Sequence, residues 1–83
     1  MGAAKRRRRD SHTRRRLLER YGIDVYGAPQ DIAAMIRRGE STLLERQSWA
    51  KSIHEVEYRG VRVRVAYDNE RHIICSALPK EPR

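Results

Sequence analysis

The sequence contains few of the residues that build large cores, covalent cross-links or metal clusters. Its 83 residues include no phenylalanine, one tryptophan and one cysteine, Cys75. A lone cysteine cannot form an intramolecular disulfide or a zinc cluster, so the composition favours a reducing, cytoplasmic environment, with Cys75 as a small buried apolar residue. A chain of this length buries only about 60% of its unfolded surface, so we expect one small domain with a thin core.

Long apolar runs and catalytic motifs are also missing. No segment reaches the roughly 18 apolar residues of a membrane span, and no signal-peptide pattern follows the basic amino terminus. The sequence has no Gly-rich phosphate loop, no paired-carboxylate motif and no metal-ligand spacing. We therefore expect an intracellular protein with no membrane partner, no cofactor and no metal.

Positive charge, by contrast, is abundant and unevenly placed. Of the net charge of +8, residues 1–16 contribute +7, from eight basic residues and one acidic residue. The rest of the chain contributes +1, from eleven basic and ten acidic residues. This asymmetry is typical of a nucleic-acid-binding tail attached to a nearly neutral domain. The eight basic residues are Lys5, Arg6, Arg7, Arg8, Arg9, Arg14, Arg15 and Arg16.

The pattern along the chain predicts an α+β fold. Residues 1–10, the arginine-rich arm, have no hydrophobic periodicity and should be disordered when free. Helices are predicted over residues 11–21 and 29–38, each followed by a glycine. Four strand-length segments then predict a four-stranded antiparallel meander covered by the two helices. The segments are "TLLERQS", "SIHEVEY", "GVRVRVAY" and "HIICSAL". The α+β domain should span residues 11–79, with a tail at residues 80–83.

A two-residue loop at Arg59-Gly60 would fix the register of the central hairpin. Valines then share the face that carries His54 and Tyr58, while Glu57 faces Arg62 and Glu55 faces Arg64 on the other face. These cross-strand pairs would cancel much of the positive field there.

Phosphate contacts are predicted first for the basic residues of segment 1–16. Arg14, Arg15 and Arg16 fall in the first turns of the predicted helix, where cations oppose the helix dipole, so a polyanion would supply the missing charge. The second candidates are Arg62 and Arg64 on the open sheet face, joined by Arg46, Lys51 and Arg71. Trp49 lies in a break between strands, where it could stack on a base or cover the sheet edge.

An enzymatic alternative is metal-independent RNA cleavage, which needs a base, an acid and cations. His54, His72, Tyr58 and Tyr67 are suitable residue types. Their predicted positions fit this chemistry poorly, because His54 falls on the valine face and His72 lies at a turn. No catalytic residue is assigned.

The order of short motifs resembles that of small proteins common in bacteriophage and prophage genomes and, more remotely, that of RelE-like toxins and the related DUF4258 domains. The resemblance covers residues 11–79 and is carried by "SHTRRRLLERYGID", "IAAMIRRGE" and "HEVEYRGVRVRVAYDNERHIICSALP". It implies two helices on a curved antiparallel sheet and the cytoplasm of a bacterial host. In RelE-like ribonucleases the working cations lie on the open sheet face, a pattern that Arg62 and Arg64 match, and His12 stands where the group has a helix histidine.

The favoured interpretation is a small phage-type protein that binds RNA or DNA through its arginine-rich amino terminus. Two alternatives stay open at this point: a RelE-like endoribonuclease, and a protein-binding inhibitor of a host nucleic-acid machine. Uncovered sheet edges also allow two copies to pair as a homodimer.

Overall fold

The computed structural model describes the backbone of residues 2–79 and the side chains of residues 12–79. Two helices precede one antiparallel sheet whose strands follow chain order, β1-β2-β3-β4. This arrangement confirms the predicted α+β class with a four-stranded meander. The elements are α1 (Gly2–Tyr21), α2 (Ala28–Arg37), β1 (Thr42–Arg46), β2 (Lys51–Tyr58), β3 (Val61–Asp68) and β4 (Ile73–Ala77).

Helix α1 begins at Gly2 rather than at residue 11, so the backbone is helical where the sequence indicated a disordered arm. Alanine, lysine and arginine are strong helix formers, which explains how a helix continues through a segment with no apolar face. The division of the chain into an arm and a domain stays a prediction. Arg14, Arg15 and Arg16 now lie well inside the helix, so the expected conflict with the dipole at its first turn does not apply to them.

The carboxyl-terminal half of α1 packs on the sheet through side chains four residues apart. Thr13, Leu17 and Tyr21 are buried, and Leu17 is fully inaccessible. The Tyr21 hydroxyl donates to the carbonyl oxygen of Leu78 at 2.6 Å, which ties α1 to the end of β4. Gly22, at φ 70°, ends the helix in the left-handed conformation that favours glycine.

Helix α2 has the predicted amphipathic pattern, with Pro29 in its first turn. Ile32 and Ile36 are buried in the core. The hydroxyl of Tyr58 donates to Asp31 Oδ2 at 2.6 Å, linking the start of α2 to the end of β2. Both helices therefore cover the same sheet face.

The central hairpin has the predicted register. Val56 pairs with Val63, Glu55 with Arg64, and Glu57 with Arg62. Arg59 and Gly60 both have positive φ values, 52° and 83°, as expected in a two-residue turn of the type that matches strand twist. The valine face of the hairpin packs with both helices to form one core. The opposite face, here called the open face, carries Arg62 and Arg64.

Irregular pairing affects both outer strands. β1 pairs with β2 through a bulge between Leu43 and Glu45, and all five of its residues are exposed. The β3–β4 pairing shifts between Ala66 and Tyr67, opposite Cys75. The prediction that Cys75 is buried is wrong, since this irregularity leaves the side chain half-buried. Within residues 2–79 no helix has the length and apolar character needed to cross a membrane.

Candidate nucleic-acid interface

Two of the predicted phosphate-binding residues lie together on an accessible part of α1. Arg15 is exposed and Arg14 half-buried, and within residues 12–79 neither forms an ion pair. Arg16 differs, because its Nη1 lies 3.4 Å from Glu19 Oε1. Among the described side chains, no carboxylate lies within ion-pair distance of Arg14 or Arg15.

An exposed aromatic ring stands beside these cations. The guanidinium carbon of Arg14 lies 4.5 Å from the ring centroid of Tyr26, and 81% of Tyr26 is exposed. Stacked cation and ring together form a flat surface on which an unpaired base can stack. Sequence reasoning missed Tyr26, and the one available signal was an aromatic residue in a Gly- and Pro-containing turn, "DVYGAP", where no strand or helix pattern requires burial.

A groove separates α1 from the segment that connects the two helices. Its volume is about 270 Å³, and Arg14, Arg15 and Leu18 form the α1 side. Asp24 contributes one carboxylate to the opposite side, beside Ile23 and Val25. We call Arg14, Arg15, Leu18 and Tyr26 the Arg14–Tyr26 surface; it combines two cations, an apolar floor and an aromatic ring.

The remaining basic residues of segment 1–16 belong to the same helix. Five of them have side chains that the structure does not describe, so their role as phosphate ligands stays a prediction. These are Lys5, Arg6, Arg7, Arg8 and Arg9. Their backbone is continuous with that of Arg14 and Arg15 in α1. Since an α-helix rises 1.5 Å per residue, the basic segment from residue 5 to residue 16 extends over about 17 Å of the helix.

Arg62 and Arg64 form a separate group on the open sheet face. Arg62 is exposed and Arg64 half-buried. Arg62 pairs with Glu57 in register, yet these two side chains, both described, make no direct ion pair. The register puts a carboxylate opposite each arginine, and the expected reduction of the positive field on this face stays a prediction.

Arg46 does not belong to that group, contrary to prediction. It pairs with Ser52, whose side chain lies on the helix-covered face with His54. The bulge adds one residue to β1, so each later residue of β1 lies on the sheet face opposite to the predicted one. Lys51 does lie on the open face, where it pairs with Asp68.

His54 is held by hydrogen bonds through both ring nitrogens. Its Nδ1 lies 2.9 Å from the Ser41 hydroxyl and its Nε2 lies 2.9 Å from the Ser52 hydroxyl. Burial lowers the pKa of His54, and the charge of Arg46 lowers it further. A neutral imidazole with both nitrogens engaged is a structural residue rather than an available base.

Three of the four residues considered for RNA cleavage, His54, Tyr67 and His72, lie in contact, and Tyr58 lies apart from them. Tyr67 Oη lies 3.0 Å from His72 Nδ1, and the Tyr67 ring meets His54 edge-on with centroids 5.6 Å apart. Tyr58 instead bonds Asp31. These groups lie on the helix-covered side or at a turn, as Arg46 does, whereas Arg62 and Arg64 are on the open face. The sheet therefore separates the acid–base groups from the open-face arginines.

The structure also gives the exposure of Trp49 and His12, two residues singled out in the sequence. Trp49 is 73% exposed in the turn between β1 and β2, so it does not cover the sheet edge. His12 is exposed on α1. Among the described side chains, no group of three or more His, Cys, Asp or Glu residues could hold a metal ion.

Comparisons of this chain with models of protein families, with curated proteins and with solved structures find no match.

Proposed function

We propose that the protein binds nucleic acid through the basic residues of α1, with the sheet domain holding that helix in place. The observation that carries this proposal is the concentration of charge: +7 of the net +8 falls in residues 1–16, within a single helix of 20 residues. Such a helix is about 30 Å long. It presents cations at regular spacing along a length comparable with several nucleotides of a polyanion.

The local energetics of α1 support a polyanionic partner. Like charges three or four residues apart on a helix repel each other, and the segment from Lys5 to Arg16 has Asp10 as its sole carboxylate. Phosphates at the helix surface would relieve this repulsion and release condensed counterions. Binding should therefore be strong at low salt and should carry little sequence information.

The Arg14–Tyr26 surface adds a preference for unpaired bases. Tyr26 is exposed and stacked against a guanidinium, an arrangement that binds a base face regardless of base identity. In a duplex the base faces are covered by their neighbours and are not accessible to Tyr26. We expect single-stranded RNA or DNA to bind more tightly than a duplex of equal charge.

The test is a fluorescence titration of short single-stranded RNA and DNA at several salt concentrations. The variant Arg14→Gln/Arg15→Gln is compared with Arg62→Gln/Arg71→Gln, which removes the same charge from the sheet domain. Losing two phosphate contacts should lower the salt slope by roughly 1.4, at about 0.7 per contact on single strands. The control variant should retain the slope of the natural chain.

Two results would oppose the proposal. An equal reduction of the salt slope in both double variants would mean that net charge, and not α1, determines binding. RNA recovered as fragments after the titration would favour the endoribonuclease alternative.

A further inference from the structure

We infer that a second, separate site for a phosphate group lies in the cavity between α2 and the start of β4. The cavity has a volume of about 180 Å³, several times the roughly 30 Å³ that one water molecule occupies in the liquid. Pro29, Ala33, Ile73 and Ile74 form the apolar part of its lining, and its ionisable lining groups are Arg37 and His72. Gln30 also lines it. None of these residues belongs to the Arg14–Tyr26 surface.

His72 is held at the cavity by a strained but well-bonded turn. Its φ of 59° is unusual for a residue other than glycine. The backbone N–H of His72 donates to the Asp68 carbonyl oxygen at 2.8 Å. The Asp68 carboxylate accepts from the N–H groups of Glu70 at 2.8 Å and Arg71 at 3.0 Å. Strained residues maintained by their surroundings occur preferentially where a side chain must be placed for binding.

The partner of His72 determines which ring nitrogen offers a proton. Tyr67 is buried, and its hydroxyl lies 3.0 Å from His72 Nδ1. Burial raises the pKa of Tyr67, so the hydroxyl keeps its proton at neutral pH. We take the hydroxyl as the donor to Nδ1, an assignment that satisfies its buried O–H and puts the imidazole hydrogen on Nε2. In this tautomer His72 offers an Nε2–H donor.

Arg37 supplies the positive charge. It lies in the last turn of α2 and, among the described side chains, has no carboxylate within ion-pair distance. It lines the same cavity as His72, whose ring contacts Tyr67. A planar guanidinium and an imidazole N–H that line one cavity are suited to the oxygens of a phosphate group, because charge-assisted hydrogen bonds are stronger than neutral ones.

The experiment is an NMR titration of the full chain with inorganic phosphate at constant ionic strength, following the backbone amide signals of Arg37 and of residues 72–74. Saturable shifts at these positions are expected. Arg37→Gln and His72→Gln should each weaken phosphate binding about tenfold, the size of one lost charge-assisted hydrogen bond. Arg71→Gln removes an adjacent charge that does not line the cavity and should change binding less than about twofold. Tyr67→Phe, which keeps the ring and removes the hydroxyl donor, should also weaken binding.

Three results would overturn this inference. The first is an absence of saturable shifts at these positions in the natural chain. The second is a loss of phosphate affinity in Arg71→Gln as large as that in Arg37→Gln, which would indicate general charge attraction. The third is an equal response to acetate, which would identify a site for carboxylates rather than phosphates. Because the site shares no residue with the Arg14–Tyr26 surface, its failure would leave nucleic-acid binding by α1 unaffected.

Discussion

At the scale of a single residue, Thr13 is a polar side chain in the packed face of α1. It is fully buried, and its hydroxyl oxygen has no hydrogen-bond partner among the residues that the structure describes. Leaving a buried hydroxyl unsatisfied costs about 1–3 kcal/mol. A helix position four residues before Leu17 would normally hold an apolar side chain.

Replacing Thr13 with valine should therefore stabilise the protein. Thr13→Val exchanges the unpaired hydroxyl for a methyl group of similar size, so we expect the free energy of unfolding to rise by about 1 kcal/mol. Urea denaturation measures this, with Thr42→Val on the exposed strand β1 as a control that should change little. A loss of stability in Thr13→Val would show that the hydroxyl has a partner in solution.

His54 should make stability depend on pH. Burial lowers its pKa in the folded protein, so the unfolded chain takes up a proton first as the pH falls. The stability that neutral His54 contributes is present above its ordinary pKa of about 6.5 and is lost as the pH falls through the lower folded pKa.

We expect the urea midpoint to decrease between pH 7.5 and pH 5.5. His54→Gln, which can still bond Ser41 and Ser52, should show a smaller decrease than the natural chain. His12→Gln, at an exposed position, should behave like the natural chain. An unchanged pH dependence in His54→Gln would mean that another group causes it.

At the scale of the element, α1 depends on a narrow packing face. Leu17 is fully buried in the core, whereas Leu18, its neighbour in sequence, is 48% exposed. The two leucines therefore form a matched pair of identical residue type in one helix turn.

Leu17→Ala should lower the free energy of unfolding by about 2–5 kcal/mol, because it removes a buried side chain and leaves a cavity. In a small domain this is a large part of total stability. Leu18→Ala should cost much less, and thermal unfolding of both variants followed by circular dichroism makes the comparison. Similar losses in the two variants would contradict the packing of α1 described here.

The elements differ in how far the sequence determines them. The β2–β3 hairpin was predictable because Arg59-Gly60 fixes the turn and the valines at every second position fix the face. The bulge in β1 was not, since no glycine or proline marks it, and it placed Arg46 on the opposite face. The early start of α1 was missed because hydrophobic periodicity reports a buried face, whereas the segment from Ala3 to Arg9 is helical through backbone propensity.

At the scale of the whole molecule, the charge asymmetry is visible in the sequence, but the residues that lie beside the charged segment in the fold are not. Arg14 and Arg15 were identified from composition alone. Tyr26 was not, because its contact with Arg14 depends on how the segment between the helices folds back on α1. The cavity lined by Arg37 and His72 could not be predicted for the same reason, since its lining residues are far apart in the chain.

The separation of His54 from the open-face arginines follows the predicted register of the central hairpin. Sequence reasoning considered histidines, tyrosines and open-face arginines together as parts of a ribonuclease site. The register places His54 and Arg62 on opposite faces. A binding role for α1 needs no such convergence, because phosphate contacts contribute nearly independently along a helix.

The measurement that tests the central claim most directly is the salt dependence of single-stranded RNA binding by the natural chain and by Arg14→Gln/Arg15→Gln. Binding by α1 predicts a steep slope for the natural chain and a reduction of roughly 1.4 in the variant, with Arg62→Gln/Arg71→Gln unchanged. A natural chain that fails to bind RNA or DNA at 50 mM salt, or a slope that the α1 variant leaves unchanged, would contradict the claim.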